Sequence, residues 1–173
     1  MKLNKISALL AFLSISTLPA SAIYIGASAG YFFDADDEFF AVRIGVPGSE
    51  SGRFSHNFEL EALTLSFSDA DLSKRLRPIT ANYRGVFNLN ESLGIYAGLG
   101  LGLANVQASR DGERQSDVTF SGQAFAGALF NVTSDIQVGA GLRYINADSV
   151  KLFGVDERVG DDIAVELTAG YRF

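Results

Sequence analysis

The chain has 173 residues, a formal net charge of −6, one histidine and no cysteine. The absence of cysteine excludes disulfides, thiolate metal sites and cysteine nucleophiles, and a single histidine excludes a histidine-rich metal centre. An acidic chain without a basic stretch is not suited to binding nucleic acid, and this length allows one domain.

The N-terminal segment has the layout of a secretory signal peptide. Two lysines precede a 13-residue apolar run, Ile6–Leu18, and a helix breaker with small residues follows at Pro19–Ala22. The run is shorter than the roughly 20 residues that a transmembrane helix needs; an amphipathic or core helix is the alternative. We therefore expect residues 1–22 to be removed and residues 23–173 to fold as one domain. Without the two lysines its net charge is −8, that is, −6 − 2.

Eight later segments alternate between apolar residues and polar or small ones. A period of two is that of a β-strand, whose successive side chains point to opposite faces. Within the third segment the apolar positions change phase between Ala62 and Leu63, which predicts a β-bulge there. The eight segments are Ile23–Phe33, Glu38–Val46, His56–Phe67, Pro78–Leu89, Leu93–Val106, Val118–Phe130, Ile136–Asn146 and Ala164–Phe173.

Eight runs of about ten residues with an apolar face and flanking aromatic residues predict a transmembrane β-barrel. Lipid requires every backbone polar group to be hydrogen-bonded, so the sheet must close on itself. Three of the four odd-numbered connections are long, among them SDADLSKRLR and QASRDGERQSD, and two of the three even-numbered ones are hairpin-length. Bacterial barrels have short periplasmic turns and longer extracellular loops. We therefore expect an outer-membrane protein of a Gram-negative bacterium with both termini in the periplasm.

The apolar leader, the eight runs and the C-terminal TAGYRF together resemble the small OmpA/OmpX-type outer-membrane β-barrels. The resemblance covers residues 23–173 and implies an all-β, eight-stranded antiparallel barrel that meanders up and down. It also implies that the barrel-assembly machinery recognises the last strand through Phe173 and Tyr171, since a C-terminal Phe after alternate apolar or aromatic residues is the mark of the family. We expect a monomer without a cofactor or metal.

With the polar faces turned inward, seven charged residues meet inside the barrel. An eight-stranded barrel is just wide enough for side chains to fill its interior, where arginine and carboxylate groups can satisfy one another as bidentate pairs. We interpret this set as an ion-pair plug that stabilises the fold; a narrow ion path is the alternative. The residues are Arg43, Arg84, Arg143 and Arg172 with Glu59, Glu61 and Glu166.

The fifth run is rich in glycine on its inward face. Gly94, Gly98, Gly100 and Gly102 are separated by even numbers of residues and therefore share one side of the strand. We expect them to make room for long arginine and tyrosine side chains from opposite strands.

The only histidine, His56, lies beside a predicted periplasmic turn. Barrels that modify lipid A are similar in size, but they need a histidine with a serine or other partner near the outer surface. A histidine base for nucleophilic attack has no place to act at the other end. We therefore expect no catalytic activity.

The predicted outer loops carry many acidic residues, at positions 34–38, 69–71 and 156–162. We interpret them as solvated charge, with Ca²⁺ binding by their oxygen atoms as the alternative. Basic residues in the same loops could contact lipopolysaccharide phosphates. They are Arg110, Arg114, Lys151 and Arg158.

These patterns predict an integral outer-membrane barrel with a structural or surface-interaction role. The alternative is a small porin, and a lipid A-modifying enzyme is less favoured. The expected partners are outer-membrane lipids including lipopolysaccharide, the barrel-assembly machinery and a surface ligand that binds the loops.

Overall fold

The computed structural model describes residues 23–69, 72–110, 113–157 and 160–173. The predicted signal peptide, residues 1–22, lies outside this part of the chain and stays a prediction. No helix in the described residues is long and apolar enough to cross a membrane. The described residues form ten strands: β1 Tyr24–Phe32, β2 Asp37–Ser51, β3 Phe54–Asp69, β4 Leu72–Asn88, β5 Leu93–Arg110, β6 Glu113–Asn131, β7 Ile136–Ala147, β8 Val150–Leu152, β9 Val155–Glu157 and β10 Gly160–Arg172.

Eight of the strands close into an antiparallel barrel in the order β1-β10-β7-β6-β5-β4-β3-β2. The first strand completes the ring, because Ala27 lies opposite both Val42 on β2 and Ala169 on β10. Strands β8 and β9 form a separate hairpin between β7 and β10. The predicted all-β eight-stranded barrel is therefore confirmed. We call the end that holds the first residue of β1 the terminal end and the opposite end the loop end.

The strands are strongly tilted. Starting at Tyr24 on β1 and following the paired residue from each strand to the next around the barrel leads to Asp162 on β10. Tyr24 pairs directly with Arg172 on the same strand, so one circuit is offset by ten residues (172 − 162). A stagger of ten residues over eight strands corresponds to a tilt of about 40° from the barrel axis. Two residues along a strand therefore advance about 5 Å along that axis.

Outward-facing apolar side chains form a continuous apolar belt, in agreement with the alternation. Leu99 and Leu167 are 67% and 69% exposed, as expected of side chains that face lipid and not a protein core. At the loop end the belt finishes at Phe40 on β2, Ile79 on β4 and Ile163 on β10. Other members are Ile25, Val42, Phe58, Leu60, Leu101, Leu103, Phe120, Phe130, Val138, Leu142, Val165 and Tyr171.

The predicted β-bulge in the third run is wrong. Leu63 and Leu65 are buried inside the barrel, on the same face as Glu61, and the β2–β3 register is unbroken around them. The register shifts instead between Pro47 and Glu50 on β2. The bulge was expected because the interior was taken to be polar throughout, whereas its loop half is apolar.

Several segments that were expected to be loops are strands. The SDADLSKRLR and QASRDGERQSD segments mostly extend β3 to β6, which have 16, 17, 18 and 19 residues, against 9, 12 and 13 for β1, β7 and β10. The PGSESGRFS connection is likewise a tight hairpin, since β2 continues to Ser51 and β3 begins at Phe54. Hydrogen bonding between neighbouring strands thus continues beyond the apolar belt. We call the part of β3 to β6 beyond the belt the tall wall.

Candidate functional site

The interior of the barrel has three layers. Nearest the terminal end is an open polar vestibule of about 1140 Å³, lined by residues that include Tyr24, Asn57, Arg84 and Arg172. The middle layer is a cluster of buried charges, and the loop end is filled by apolar side chains. We call these the vestibule, the charge cluster and the apolar cluster.

Arg143 on β7 is the centre of the charge cluster. Its Nη1 lies 2.6 Å from Glu61 Oε1 on β3, and its Nη2 lies 2.9 Å from Glu166 Oε2 on β10. The guanidinium packs on the rings of Phe39 and Phe125, with its carbon 5.5 and 5.4 Å from their centroids. Since the Arg143 side chain is 1% exposed, one cation joins two carboxylates away from water.

A second pair lies closer to the vestibule. The Nε of Arg84 is 2.7 Å from Glu59 Oε1, and its Nη2 donates a hydrogen bond of 2.8 Å to the Tyr24 hydroxyl. The Tyr24 hydroxyl in turn donates to Glu59. This closed triangle of side chains from β1, β3 and β4 satisfies a buried carboxylate on two sides.

Arg43 connects the cluster to the seam where the barrel closes. Its Nη1 lies 3.6 Å from Glu61 Oε2 and donates to Ser28 Oγ on β1 at 2.8 Å. Its Nη2 donates to Thr168 Oγ1 on β10. Glu61 therefore bridges Arg43 and Arg143, while Arg43 contacts both strands of the β1–β10 seam.

Neutral side chains complete the network. The amide nitrogen of Gln123 lies 2.8 to 2.9 Å from oxygen atoms of Glu61, Thr80 and Asn82, and the Tyr96 hydroxyl donates to Glu166 Oε1 at 3.2 Å. The alternation puts Tyr24 and Tyr96 on the inward faces of their strands, but it does not show that they join the charged residues. The alternation alone was the signal that could have included them.

The structure places six of the seven charged residues together and leaves Arg172 out. Arg172 is exposed and lines the vestibule, which puts it at the rim of the barrel. The cluster therefore holds three arginines and three glutamates, Arg43, Arg84 and Arg143 with Glu59, Glu61 and Glu166, instead of four cations against three anions. The formal charges of these six side chains balance.

The inward glycines give space, although to side chains other than those expected. A Cβ at Gly98 would overlap the Phe125 ring, and one at Gly100 would overlap the Asn82 amide. Both neighbours come from the adjacent strands β4 and β6, not from opposite strands. Tyr96 uses the space of other glycines, since a Cβ at Gly141 would lie 2.5 Å from its hydroxyl.

The apolar cluster closes the loop end, and the β8–β9 hairpin takes part in it. Val150 and Leu152 are buried there against residues of the barrel wall. The N–H of Lys151 donates to Asp117 Oδ2 at 3.2 Å, and the N–H of Phe153 donates to Gln115 Oε1 at 2.6 Å. Side chains of β6 thus hold the hairpin over the opening. Wall members of the cluster are Phe32, Phe39, Ala41, Leu63, Leu65, Leu76, Ala104, Val106, Ala108, Ile145, Ala147 and Ala164.

His56 lies on the outer surface near the terminal end, among aromatic rings. Its Nδ1 is 2.5 Å from the Tyr83 hydroxyl, and its ring packs edge-on against Phe54, with centroids 4.6 Å apart. Nothing in this group of side chains combines the imidazole with a serine and a carboxylate. The loop end, where a lipid A-modifying centre was considered, is far from it.

Acidic residues of the loop end hold backbone in place. Asp162 accepts hydrogen bonds from the N–H groups of Asp34 at 3.0 Å and Ala35 at 2.8 Å, which fixes the β1–β2 connection. Among the described residues, no group of three or more histidine, aspartate and glutamate side chains could hold a metal ion. Asp71 and Arg158, also considered as ligands of cations and phosphates, lie outside the described residues.

At the end of the last strand, Tyr171 and Phe173 point outward at the edge of the apolar belt. Their rings are edge-on with centroids 5.0 Å apart, and the two side chains are 43% and 59% exposed. The N–H of Phe173 donates to the carbonyl of Ile23 at 3.1 Å, so the final residue still contacts the first strand.

The sequence matches the outer membrane protein beta-barrel domain over residues 6–173. The chain belongs to the outer-membrane β-barrel domain family. Membership places the protein in the bacterial outer membrane and agrees with the apolar belt around a closed barrel. No curated protein sequence matches the chain.

Solved structures share the architecture of this outer-membrane barrel. Neisserial surface protein A is 15% identical, covers 87% of this chain and 97% of its own, and superposes with a TM-score of 0.64. Ail, the attachment invasion locus protein of Yersinia pestis, is 19% identical, with coverages of 88% and 97% and a TM-score of 0.57. The outer membrane enzyme PagL is 12% identical, with coverages of 87% and 99% and a TM-score of 0.53. At these identities the likeness concerns the fold alone.

Proposed function

We propose that the protein is a monomeric, non-catalytic outer-membrane barrel that stabilises the outer membrane and presents its tall wall to the outside of the cell. The observation that carries this proposal is the filled interior. A neutral charge cluster occupies the middle of the barrel and an apolar cluster occupies its loop end. At the loop end, what remains available for function is the outer surface.

The filled interior is the argument against a channel. Side chains of the paired arginines and glutamates are at most 6% exposed, so water reaches them poorly. An ion that entered from the vestibule would have to break these pairs and then cross a layer of leucine, valine and phenylalanine. Breaking a buried pair typically costs about 3–5 kcal/mol, and crossing the apolar layer would add the cost of removing water from the ion.

The location of His56 is the argument against an enzyme. Similarity to PagL is one of fold, and a histidine-based centre would need its imidazole beside a nucleophile where substrate arrives. Here the one histidine of the sequence lies near the terminal end, on the lipid-facing side, with phenylalanine and tyrosine as neighbours.

The strand lengths support the orientation. Turns at the terminal end are short, whereas β3 to β6 and the β8–β9 hairpin project from the loop end. With the loop end outside, both termini are periplasmic and Phe173 is available to the barrel-assembly machinery. Lipopolysaccharide and a ligand on another cell surface then become the partners of the projecting part. The names of two proteins with this fold, a surface protein and an attachment protein, agree with such a role.

Single-cysteine labelling tests the orientation, because the natural chain has no cysteine. Ser116→Cys on the tall wall and Ser134→Cys in a terminal-end turn are both exposed positions. A membrane-impermeant maleimide applied to intact cells should label the first variant and not the second, while both should react in lysed cells. Labelling of Ser134→Cys alone in intact cells would reverse the orientation and remove the basis of a surface role.

Two further measurements test the absence of a channel and of an enzyme. Refolded protein in a planar bilayer should show no unitary current steps, since the charge cluster closes the lumen. Lipid A from cells that express the protein should have the same mass spectrum as lipid A from cells without it. Regular current steps would favour the porin alternative, and a new lipid A species would favour the enzyme.

A further inference from the structure

We infer that the barrel holds the phosphorylated saccharide head groups of an outer-leaflet glycolipid on one side only, through Arg75 and Arg77 on β4. This inference rests on the proposed function in one respect: the loop end must face the outer leaflet. It adds a binding surface, a ligand chemistry and a direction within the plane of the membrane.

The two arginines lie just where the apolar belt ends. Ile79 is the last belt residue of β4, and Arg77 and Arg75 are the next two outward positions on the same strand; both are exposed. With a strand tilt of about 40°, they lie about 5 and 10 Å beyond Ile79 along the barrel axis. The polar head groups occupy roughly the first 5–8 Å beyond the hydrocarbon on each side of a bilayer. Arg77 therefore lies at the level of this layer, and the long side chain of Arg75, one position above it, can turn back to reach the same phosphates.

Among the described side chains, neither arginine has a partner. Within the described ranges, no hydrogen bond or ion pair involves Arg75 or Arg77, whereas Arg43, Arg84 and Arg143 are all paired. Two solvated cations on adjacent outward positions of one strand repel each other unless an anion joins them. A phosphate group does so, because guanidinium binds its oxygen atoms in a bidentate manner.

The side chains around the arginines suit a sugar. Arg75 lies opposite Ser66 on β3 and Gln107 on β5, and Arg77 lies opposite Asn105 on β5. Hydroxyl and amide groups donate to and accept from saccharide hydroxyl groups. None of these neighbours is a carboxylate that would neutralise the arginines or repel a phosphate.

The other side of the barrel at this level is acidic. Glu38 on β2 follows the belt residue Phe40, and Asp161 on β10 follows Ile163; both carboxylates are on exposed outward positions. Strand β1 lies between β2 and β10 and is four strands away from β5 in either direction around the barrel. Head-group phosphates are therefore attracted on the β4–β5 side and repelled on the β10–β1–β2 side.

The occupant is a lipid-anchored head group instead of a soluble polyanion because the arginines are continuous with the belt. A glycolipid whose acyl chains pack on Ile79 and Leu103 already holds its phosphates near Arg77. A soluble polyanion would first have to be immobilised there. Arg114, expected from the sequence to meet such phosphates, is four residues beyond Val118 on β6. It also lies two residues beyond Ser116, which is in the same row of strand pairs as Gln107 and Arg75, so Arg114 is at least about 5 Å further from the belt than Arg75.

The test uses the folded barrel in detergent with three probes. The probes are bisphosphorylated lipid A, the same lipid after removal of both phosphates, and a phosphorylated oligosaccharide without acyl chains. Native mass spectrometry or fluorescence titration measures the affinity of each. The variants are R75Q/R77Q and a matched control, R53Q/R172Q, which removes two exposed arginines from the terminal end.

Wild-type protein and the control should bind bisphosphorylated lipid A with affinities within about threefold of each other. R75Q/R77Q should bind about 30-fold more weakly, since each arginine near an anionic surface contributes roughly a fivefold factor or more. Removal of the phosphates from the lipid should give the same loss. If the double variant does not show the heat-modified gel mobility of a folded barrel, the single variants R75Q and R77Q replace it. Each should bind bisphosphorylated lipid A about fivefold more weakly than the wild type.

Equal binding by R75Q/R77Q and the control would overturn the inference, as would equal binding of the dephosphorylated lipid. Tighter binding of the soluble oligosaccharide than of the lipid would replace the glycolipid by a free polyanion. None of these outcomes depends on which way the barrel crosses the membrane, so failure here is distinct from failure of the proposed orientation, which cysteine labelling decides.

Discussion

The charge cluster and the apolar cluster fill two successive layers of the lumen in different ways. In the middle, Arg143 joins Glu61 and Glu166 at 2.6 to 2.9 Å, and every carboxylate of the cluster has a cationic partner. At the loop end, Leu65, Leu76 and Leu152 fill the same cylinder without a polar atom in their side chains. The difference shows that the chemistry of the side chains that fill an eight-stranded barrel can change along its axis.

Substitutions in the charge cluster and in the apolar cluster should destabilise the barrel for different reasons. A buried ion pair that loses one partner leaves an uncompensated charge, whereas an apolar layer that loses a side chain leaves a cavity. The first penalty depends on charge and the second on volume. Three variants use this contrast, with expected effects on stability that decrease from Glu61 to Leu152, and a fourth at the last residue should affect stability least.

The largest loss is expected for Glu61→Gln. It removes the carboxylate that bridges Arg43 and Arg143, and breaking a buried pair costs about 3–5 kcal/mol. Urea titration of the refolded barrel in detergent, followed by gel mobility, measures the loss. Glu38→Gln, an exposed carboxylate on β2, is the control and should change the free energy of unfolding by less than about 0.5 kcal/mol. Equal values for both variants would remove Glu61 from the network.

Leu65→Ala, in the apolar cluster, should lower the free energy of unfolding by about 2–5 kcal/mol, because it removes buried apolar surface and leaves a cavity. Leu65 is 1% exposed, whereas its control, Leu101, is 63% exposed on the outer surface. Leu101→Ala should have a much smaller effect in the same titration, because detergent fills the space. A large loss with Leu101→Ala and none with Leu65→Ala would mean that the inner and outer faces of the barrel are exchanged.

Leu152→Ala should release the β8–β9 hairpin and leave the barrel folded. The side chain is buried in the apolar cluster, but its strand belongs to a separate two-stranded sheet, so about 2–3 kcal/mol of local docking is lost. Trypsin should then cut after Lys151 several times faster, with the heat-modified gel shift retained. Val132→Ala in a terminal-end turn should leave the cleavage rate unchanged. Unfolding of the whole barrel by Leu152→Ala would make the hairpin part of its cooperative core.

Deletion of Phe173 should change stability least and assembly most. The side chain is 59% exposed, so its contribution should be at most about 1.5 kcal/mol, the lower limit for complete burial of an aromatic side chain. Refolding in detergent should therefore proceed, while surface levels in cells fall and protein accumulates in the periplasm. Normal surface levels would argue against Phe173 as the assembly signal, and failure to refold would assign the residue to packing.

Most of the fold and about half of the interior could be predicted from the sequence. Alternation placed Arg143, Glu61 and Glu166 inside, because charged side chains on one face of a membrane-spanning strand cannot face lipid and must therefore point into the barrel. The apolar cluster could not be predicted in this way. An apolar side chain can face either the lipid or an apolar interior, and the sequence does not distinguish the two for Leu63 and Leu65. They were taken to face lipid, which required a β-bulge after Ala62.

Strand ends were the other weak point. Polar residues such as Arg75 and Gln107 were assigned to loops because strands were identified by contact with lipid. Above the belt both faces of a strand meet water or head groups, so hydrogen bonds between strands continue where the hydrophobic pattern has ended. Arg172 was also placed wrongly, since alternation gives the face of a residue and not its depth.

The sequence separation within the charge cluster bears on how the barrel forms. Arg143 and Glu61 are 82 positions apart, Arg43 and Thr168 are 125 apart, and the first and last strands must meet before the cluster is complete. Contacts of such long range make closure slow, and a half-closed sheet would hold unpaired charges in a nonpolar medium. Partly formed barrels are therefore poor intermediates inside lipid, and ring closure and pairing of the charges should occur in a single step. The same coupling should also slow opening of the closed barrel, so we expect its native lifetime to be set by the unfolding barrier and not by equilibrium stability alone.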